Sequence, residues 1–420
     1  MNASRVRFVT VSTLLILATA AGSAEPSFEK FHERAQKGEH LTVVFFGASL
    51  TWGANASDQA YTSYRARVAE KLQATYPQAH FTFHDAAIGG TGSQLGVFRL
   101  QRDVLNRKPD LVFLDFSAND DIYGSDAEKN ASYESLVRRI IVDGQCPLVQ
   151  VLFPFGWNAH EAEFPKMKRR ESHLKIAAAY HTGVGDAIAL ATDRIKSGDT
   201  TLPKIWPFDQ VHPGDEGYQL FADAAWQAFQ KGVETHLVCA APEKMLYDDT
   251  YMSWSRNKLS QFPKLPQGWY VVPTLRTAAY QDALMSRWLD DEVRVANWTE
   301  AKEATGKKGV VELTPEPLKV RFNGAMVFLF GTKTEASCKY RILIDGALVQ
   351  CKNNKVPEDT FEASSGGVHA NTHLSQLIAT GLDPKITHEL TMEPVFEKGS
   401  KQELRFESLC IAGGEAKILP

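Results

Sequence analysis

Between residues 41 and 232, short apolar runs alternate with longer amphipathic stretches. Residues 41–46 (LTVVFF), 81–88, 111–116 (LVFLDF) and 148–153 (LVQVLF) read as β-strands, the first of them buried on both faces. Residues 63–76 read as a helix with Tyr64, Val68, Ala69 and Leu72 along one side, and further helices are expected over 165–180 and 216–231. Continuous β-rich runs separated by helices imply an α/β fold, a parallel sheet covered on both faces.

After a stretch dotted with Tyr and Pro (247–266) the pattern changes. Short strand candidates fall at 310–313, 318–322, 325–330, 340–344, 347–350, 388–392 and 404–411, with turn signals such as Asn323-Gly324 and Asp345-Gly346 between them. That pattern predicts an antiparallel, jelly-roll-like β-sandwich. The expected division is a parallel-sheet domain (25–240), a linker (241–268) and a sandwich domain (269–420), with the join between Val238 and Trp269.

Residues 1–24 fit a signal peptide better than a buried helix. Arg5 and Arg7 precede an apolar run at 8–20 too short to span a bilayer, and Gly22-Ser23-Ala24 supplies the small residues a signal peptidase accepts. The expected destination is the periplasm or the medium. Removing this segment deletes two arginines and no acidic residue, taking the formal charge from −4 to −6. No basic field remains to hold nucleic acid or an anionic membrane, and no later stretch is apolar enough to span one. Five cysteines among 420 residues are too few and too scattered for a disulfide framework. A two-residue turn at Asp345-Gly346 sets Cys351 opposite Tyr340, so Cys338 and Cys351 are at best diagonal neighbours. The cysteines show no metal-ligand spacing, and His369 and His373, four residues apart, have no evident third ligand.

In an open parallel sheet, ligands bind beyond the carboxyl ends of the strands. The segments following the predicted strands are Gly47-Ala48-Ser49-Leu50-Thr51, Gly89-Gly90-Thr91-Gly92, Ser117-Ala118-Asn119-Asp120 and Pro154-Phe155-Gly156-Trp157-Asn158. Asp209-Gln210-Val211-His212-Pro213 precedes the last helix. Each is unremarkable alone: a Gly-x-Ser turn, an Asx-turn asparagine, a loop histidine. Together, in this order and at strand ends, they describe a site.

The joint pattern resembles the SGNH (GDSL-type) hydrolase family over residues 41–232. The family's four blocks fall on Ser49, Gly90, Asn119 and the pair Asp209 and His212. Ala48 stands where the family's Gly-Asp-Ser has Asp, and Ser117 replaces the Gly of the third block. The second block, Asp85-Ala86-Ala87-Ile88-Gly89-Gly90, lacks the Asn and first Gly often seen. The resemblance implies a three-layer, flavodoxin-like hydrolase domain and a serine esterase without metal or organic cofactor.

The chemistry follows from the residue types. A serine hydroxyl is a weak nucleophile until a base takes its proton. His212 is the candidate base, and Asp209 would fix its tautomer and stabilise the imidazolium that forms. The backbone N–H groups of Ser49 and Gly90 and the side-chain amide of Asn119 are the candidate oxyanion donors. An α/β-hydrolase elbow would need Gly-x-Ser-x-Gly, and position 51 is Thr.

Trp52, Trp157 and Trp206 lie close to these motifs in sequence and would either stack on sugar faces or pack in the core. The resemblance extends to exported carbohydrate esterases with an appended β-sandwich, implying O-acetyl groups of xylan, xyloglucan or pectin type as substrate. A lipid esterase, lysophospholipase or thioesterase on the same triad is the alternative, and a non-catalytic carbohydrate-binding protein a further one. The Gly366-Gly367-Val368-His369 stretch reads as a solvated loop. Replacing Asn119 by Ala is expected to lower turnover by about 10²–10³; full activity in steady-state kinetics would remove Asn119 from the oxyanion hole.

Overall fold

The computed structural model describes residues 25–275, 291–302, 308–351, 356–365 and 371–419. The proposed signal peptide and His369 lie outside them. Five parallel strands, β1 (His40–Gly47), β2 (His80–Ala87), β3 (Leu111–Leu114), β4 (Leu148–Leu152) and β5 (Gly183–Asp186), form one sheet in the order β2-β1-β3-β4-β5. The chain reverses direction across the sheet at β1/β3, so the carboxyl ends of these two strands border a crevice open to ligands. The helices are α1 (Phe28–Gln36), α2 (Ser49–Trp52), α3 (Tyr64–Thr75), α4 (Ser93–Asp103), α5 (Ala127–Val142), α6 (Lys168–Ala179), α7 (Ala187–Ser197), α8 (Leu202–Ile205) and α9 (Asp215–Glu234). The sheet is thereby the middle of three layers.

Local chemistry sets the boundaries. Side-chain oxygens of Ser63, Asp126 and Asp186 cap α3, α5 and α7 by accepting backbone N–H groups of the first turn. Pro165 keeps the segment before α6 in a 3-10 turn, so α6 begins three residues later than the sequence pattern suggests. The central strands β3 and β4 are buried at every position, as their predominantly apolar runs require, whereas β2 at the sheet edge is mostly half-buried.

Arg99, on α4, is buried and donates to the carbonyls of Gly47 (2.8 Å) and Ala86 (2.7 Å), the last turns of β1 and β2. Its guanidinium lies 4.4 Å from the Phe46 ring centroid and pairs with buried Asp103 at 3.3 Å. Burial pulls the Arg99 pKa down to about 10, against the opposing pull of Asp103.

Among the described residues, the second domain consists of two six-stranded antiparallel sheets and a two-stranded hairpin. Apolar residues from both six-stranded sheets, among them Leu318, Val320, Tyr340, Ile342, Leu404 and Phe406, share one core. The turn at Asp345-Gly346 has positive φ at both residues and sets Ile344 opposite Ala347. The strand Trp254–Lys258, within the stretch expected to be a linker, pairs with Glu403–Ala412 inside the sandwich. Cys351 leaves the expected register, bridging Glu358, while Tyr340 pairs with Phe361. All five cysteines are buried and unpaired.

The two domains share apolar surface. Val327 and Leu329 of the strand Met326–Thr334 face the sandwich core, while Met326, Phe328 and Phe330 join the core of the first domain. Phe328 packs on Phe98 of α4 at 6.0 Å between centroids, and Arg139 of α5 lies over the Trp254 ring at 4.5 Å. No helix among the described residues is long and apolar enough to cross a membrane.

Replacing Arg99 by Met takes from the buried Asp103 carboxylate its 3.3 Å partner and leaves Arg102 at 3.7 Å. The expected loss is about 3–5 kcal/mol of unfolding free energy, to be measured by urea denaturation; a change below about 1 kcal/mol would refute the clamp.

Candidate active site

Ser49 opens α2 directly beyond β1 and is almost completely buried. Its Oγ lies 3.1 Å from Nε2 of His212, 163 residues away in sequence. That distance suits a hydroxyl proton passing to an imidazole nitrogen. His212 is fixed by its own loop: Oδ1 of Asp209 accepts the backbone N–H groups of Val211 (2.6 Å) and His212 (2.7 Å). Oδ2 of Asp209 lies 3.7 Å from His212 Nδ1, longer than a hydrogen bond but close enough to favour the tautomer that carries its proton on Nδ1.

Sequence reasoning missed the group that aims this carboxylate. Asn55, in the turn after α2 at φ 67°, donates its side-chain amide to Asp209 Oδ2 at 2.8 Å and reaches the His212 carbonyl at 3.4 Å. Asn tolerates the left-handed region better than most residues, which is the only hint the sequence carries. The loop of His212 and the turn that follows Ser49 are thus tied to each other.

Gly90 and Asn119 arrive from the ends of β2 and β3. Gly90 has φ +70°, a conformation open to glycine and strained for other residues. Asn119 is half-buried in the turn after β3. Its neighbour Asp120 is buried and accepts the Ser93 backbone N–H at 2.9 Å, fastening that turn to the start of α4. Ser117, at the third-block position where glycine is usual, uses its hydroxyl to accept the Phe153 N–H (3.0 Å) and to donate to Asp115 (3.2 Å). The hydroxyl joins the ends of β3 and β4, a role a glycine could not fill. Burial pushes Asp115 up to about 7 and Asp120 to about 6.

The three tryptophans separate. Trp157 is 45% exposed and leans on Phe155, and its turn abuts the histidine loop through the 2.7 Å bond from the Gly156 N–H to the Gln210 carbonyl. Trp52 and Trp206 are only 9% and 6% exposed. Trp206 belongs to the first-domain core and Trp52 packs with Ala54 and Ala87, so neither has a free face for a sugar. Phe208, immediately before Asp209, is 77% exposed and was not anticipated.

Burial lowers the His212 pKa below its ordinary 6.5, and Asp209 opposes the shift without cancelling it. Partial burial would raise Asp209, but hydrogen bonds from the His212 N–H, the Asn55 amide and the Val211 N–H hold it below the usual carboxylate range. At neutral pH the pair is therefore a neutral imidazole beside a carboxylate, ready to accept a proton. The expected acid limb of kcat/KM for p-nitrophenyl acetate has its midpoint below pH 6.5, activity falling as His212 is protonated. Asp209→Asn removes the group that raises this pKa, so the His212 midpoint followed by NMR should fall further. A limb well above 6.5 would exclude His212 as the base.

Residues 45–220 match the model of the GDSL-like Lipase/Acylhydrolase family. A search of curated proteins gave no match. Among solved structures, the chain is similar to a two-domain esterase (CEX) active on acetylated mannans, at 22% identity and TM-score 0.67, with 92% of this chain and 95% of that one covered. The same esterase co-crystallized with mannopentaose gives 22% identity and TM-score 0.68, covering 94% and 97%. Likeness at that identity establishes the two-domain fold; over residues 45–220 the chain is similar to the GDSL-like lipase/acylhydrolase family, and the protein is a carboxylic ester hydrolase.

Proposed function

We propose that the protein is an exported esterase that removes O-acetyl groups from a polysaccharide or oligosaccharide, with Ser49 as nucleophile, His212 as general base and acid, and Asp209 as its orienting carboxylate. The observation that carries this reading is the 3.1 Å approach of Ser49 Oγ to His212 Nε2 at the strand-end crevice, with Asp209 on the far side of the imidazole. His212 takes the hydroxyl proton as Ser49 Oγ attacks the acetyl carbonyl. The backbone N–H groups of Ser49 and Gly90 and the Asn119 amide stabilise the oxyanion as the carbonyl π electrons move onto oxygen. Collapse of the tetrahedral intermediate breaks the bond to the sugar oxygen, which leaves with the proton held on His212. Water, deprotonated by the same imidazole, then releases acetate and regenerates Ser49.

An acetylated glycan is favoured as substrate by Trp157, whose exposed ring lies on the turn beside the histidine loop. An aromatic face of this kind packs against sugar C–H surface. Exposed Phe208, next to Asp209, offers a second apolar surface at the same rim. The whole-chain likeness to an esterase active on acetylated mannans adds acetylated mannan to xylan, xyloglucan and pectin as candidates.

The test is acetate release from these four acetylated polysaccharides, alongside turnover of p-nitrophenyl acetate and p-nitrophenyl octanoate. Acetate should appear from at least one polymer, the acetyl ester should be preferred, and Ser49→Ala should lose nearly all activity. A clear preference for octanoate would overturn the deacetylase reading in favour of a lipid esterase. Undiminished turnover by Ser49→Ala would remove Ser49 as nucleophile.

A further inference from the structure

The Asp209 side chain is 44% exposed, so packing alone does not fix its direction and water competes for both oxygens. Donors built into the fold fix it instead. Oδ1 accepts the backbone N–H groups of Val211 and His212 from its own loop. Oδ2, the oxygen 3.7 Å from His212 Nδ1, accepts the side-chain amide of Asn55 at 2.8 Å. That amide can face only one way. Its other neighbour, at 3.4 Å, is the His212 carbonyl, and with an acceptor on each side the NH₂ group must point at them.

Asn55 is itself held on both sides. The peptide before it is pinned by buried Tyr218 of α9, whose hydroxyl donates to the Ala54 carbonyl at 2.6 Å. The peptide after it is pinned by the Ala56 N–H, which donates to the Gly53 carbonyl at 3.0 Å. With both peptide planes set, the backbone of Asn55 is set at φ 67°, and so is the direction in which its side chain leaves the chain. Two residues on, Ser57 gives its N–H (2.9 Å) and its hydroxyl (2.6 Å) to Asp215, the first residue of α9. Residues 54–57 are thus stitched to residues 209–218 at three places, and Asn55 is the stitch that reaches the carboxylate.

We infer that Asn55 is a positioning residue for ester hydrolysis: its amide holds Asp209 Oδ2 toward the imidazole against competing water, so that the carboxylate stays aimed at His212 while a proton moves between His212 and Ser49. Without the amide, Oδ1 keeps its bonds to the loop and Oδ2 is free to swing about them into solvent. This rests on the proposed roles of Ser49, His212 and Asp209. The effect of Asn55 runs through Asp209; the reacting atoms belong to Ser49, His212 and the ester.

The test uses the full chain and p-nitrophenyl acetate. Asn55→Gly removes the amide and leaves a backbone free to adopt φ 67°. Asn55→Asp keeps the shape and tolerates the same conformation, but sets a carboxylate oxygen against Asp209. A misplacement of about 1 Å can cost about 10² in rate, so kcat should fall by about 10–10² in Asn55→Gly and at least as far in Asn55→Asp, with KM changed less than about threefold. In the Asp209→Ala background, Asn55→Gly should change kcat by less than about twofold, because the group it acts through is gone. A residue that only supported the loop would lower kcat by the same factor in both backgrounds. If thermal melts show that Asn55→Gly does not fold, Asn55→Asp is carried through the same two backgrounds. Turnover within about twofold of the original in both single variants would overturn the inference, as would equal losses in the two backgrounds or a rise in KM at constant kcat. Asp209→Ala by itself separates the two levels. If it keeps full turnover, the triad reading falls and the inference with it; a silent Asn55 beside an essential Asp209 overturns the inference alone.

Discussion

A single buried cation holds the catalytic end of the sheet together. Arg99 reaches from α4 to the carbonyls of Gly47 and Ala86, the points at which β1 and β2 hand the chain to Ser49 and Gly90. A guanidinium out of water must have its charge answered and its N–H groups bonded, which ties the positions of β1, β2 and α4 to one another. Asp103 answers the charge one turn along the same helix, and the rings of Phe46 and Phe116 lie beneath its face. The segments that carry Ser49 and Gly90 leave from strand ends that cannot separate without stranding this group.

The second domain shares in the same framework. The strand Met326–Thr334 sends alternate side chains to opposite faces, as every strand must, but here both faces meet protein. Its apolar residues therefore serve two cores at once. The neighbouring strand Glu403–Ala412 does likewise, with Leu409 and Ile411 in the sandwich core and Cys410 and Ala412 toward the hydrolase domain. Tyr251 and Phe328 both pack on Phe98, at the middle of the helix that Arg99 anchors. The surface that joins the domains and the clamp that orders the strand ends are two sides of α4.

Much of this could be read from residue order because the determining interactions are local or repeat along one strand. The runs at 41–46, 111–116 and 148–153 are apolar at all but one position each because β1, β3 and β4 are covered on both faces. Asp209 and His212 declare themselves because three residues on one loop suffice to bond the carboxylate to the histidine backbone. The strand β5, Gly183-Val184-Gly185-Asp186, carries no such signal: a side chain on Gly185 would meet Ala225 of α9 at 2.9 Å, so space for a helix removed the β-branched residues that mark a strand. Trp254–Lys258 was equally silent, since its polar sequence (WSRNK) becomes a strand through pairing with a partner some 150 residues later.

Sequence alone determined the α/β and antiparallel pattern and the esterase class, because burial period and motif spacing are properties of short segments. Tertiary structure decided which aromatic rings are free, leaving Trp157 at the rim and sinking Trp52 and Trp206. It also supplied the partners that no spacing could predict: Asn55 on Asp209 and Arg99 on two strand ends. These join groups from 13 to 154 residues apart along the chain, and such contacts exist only once packing has set the distances.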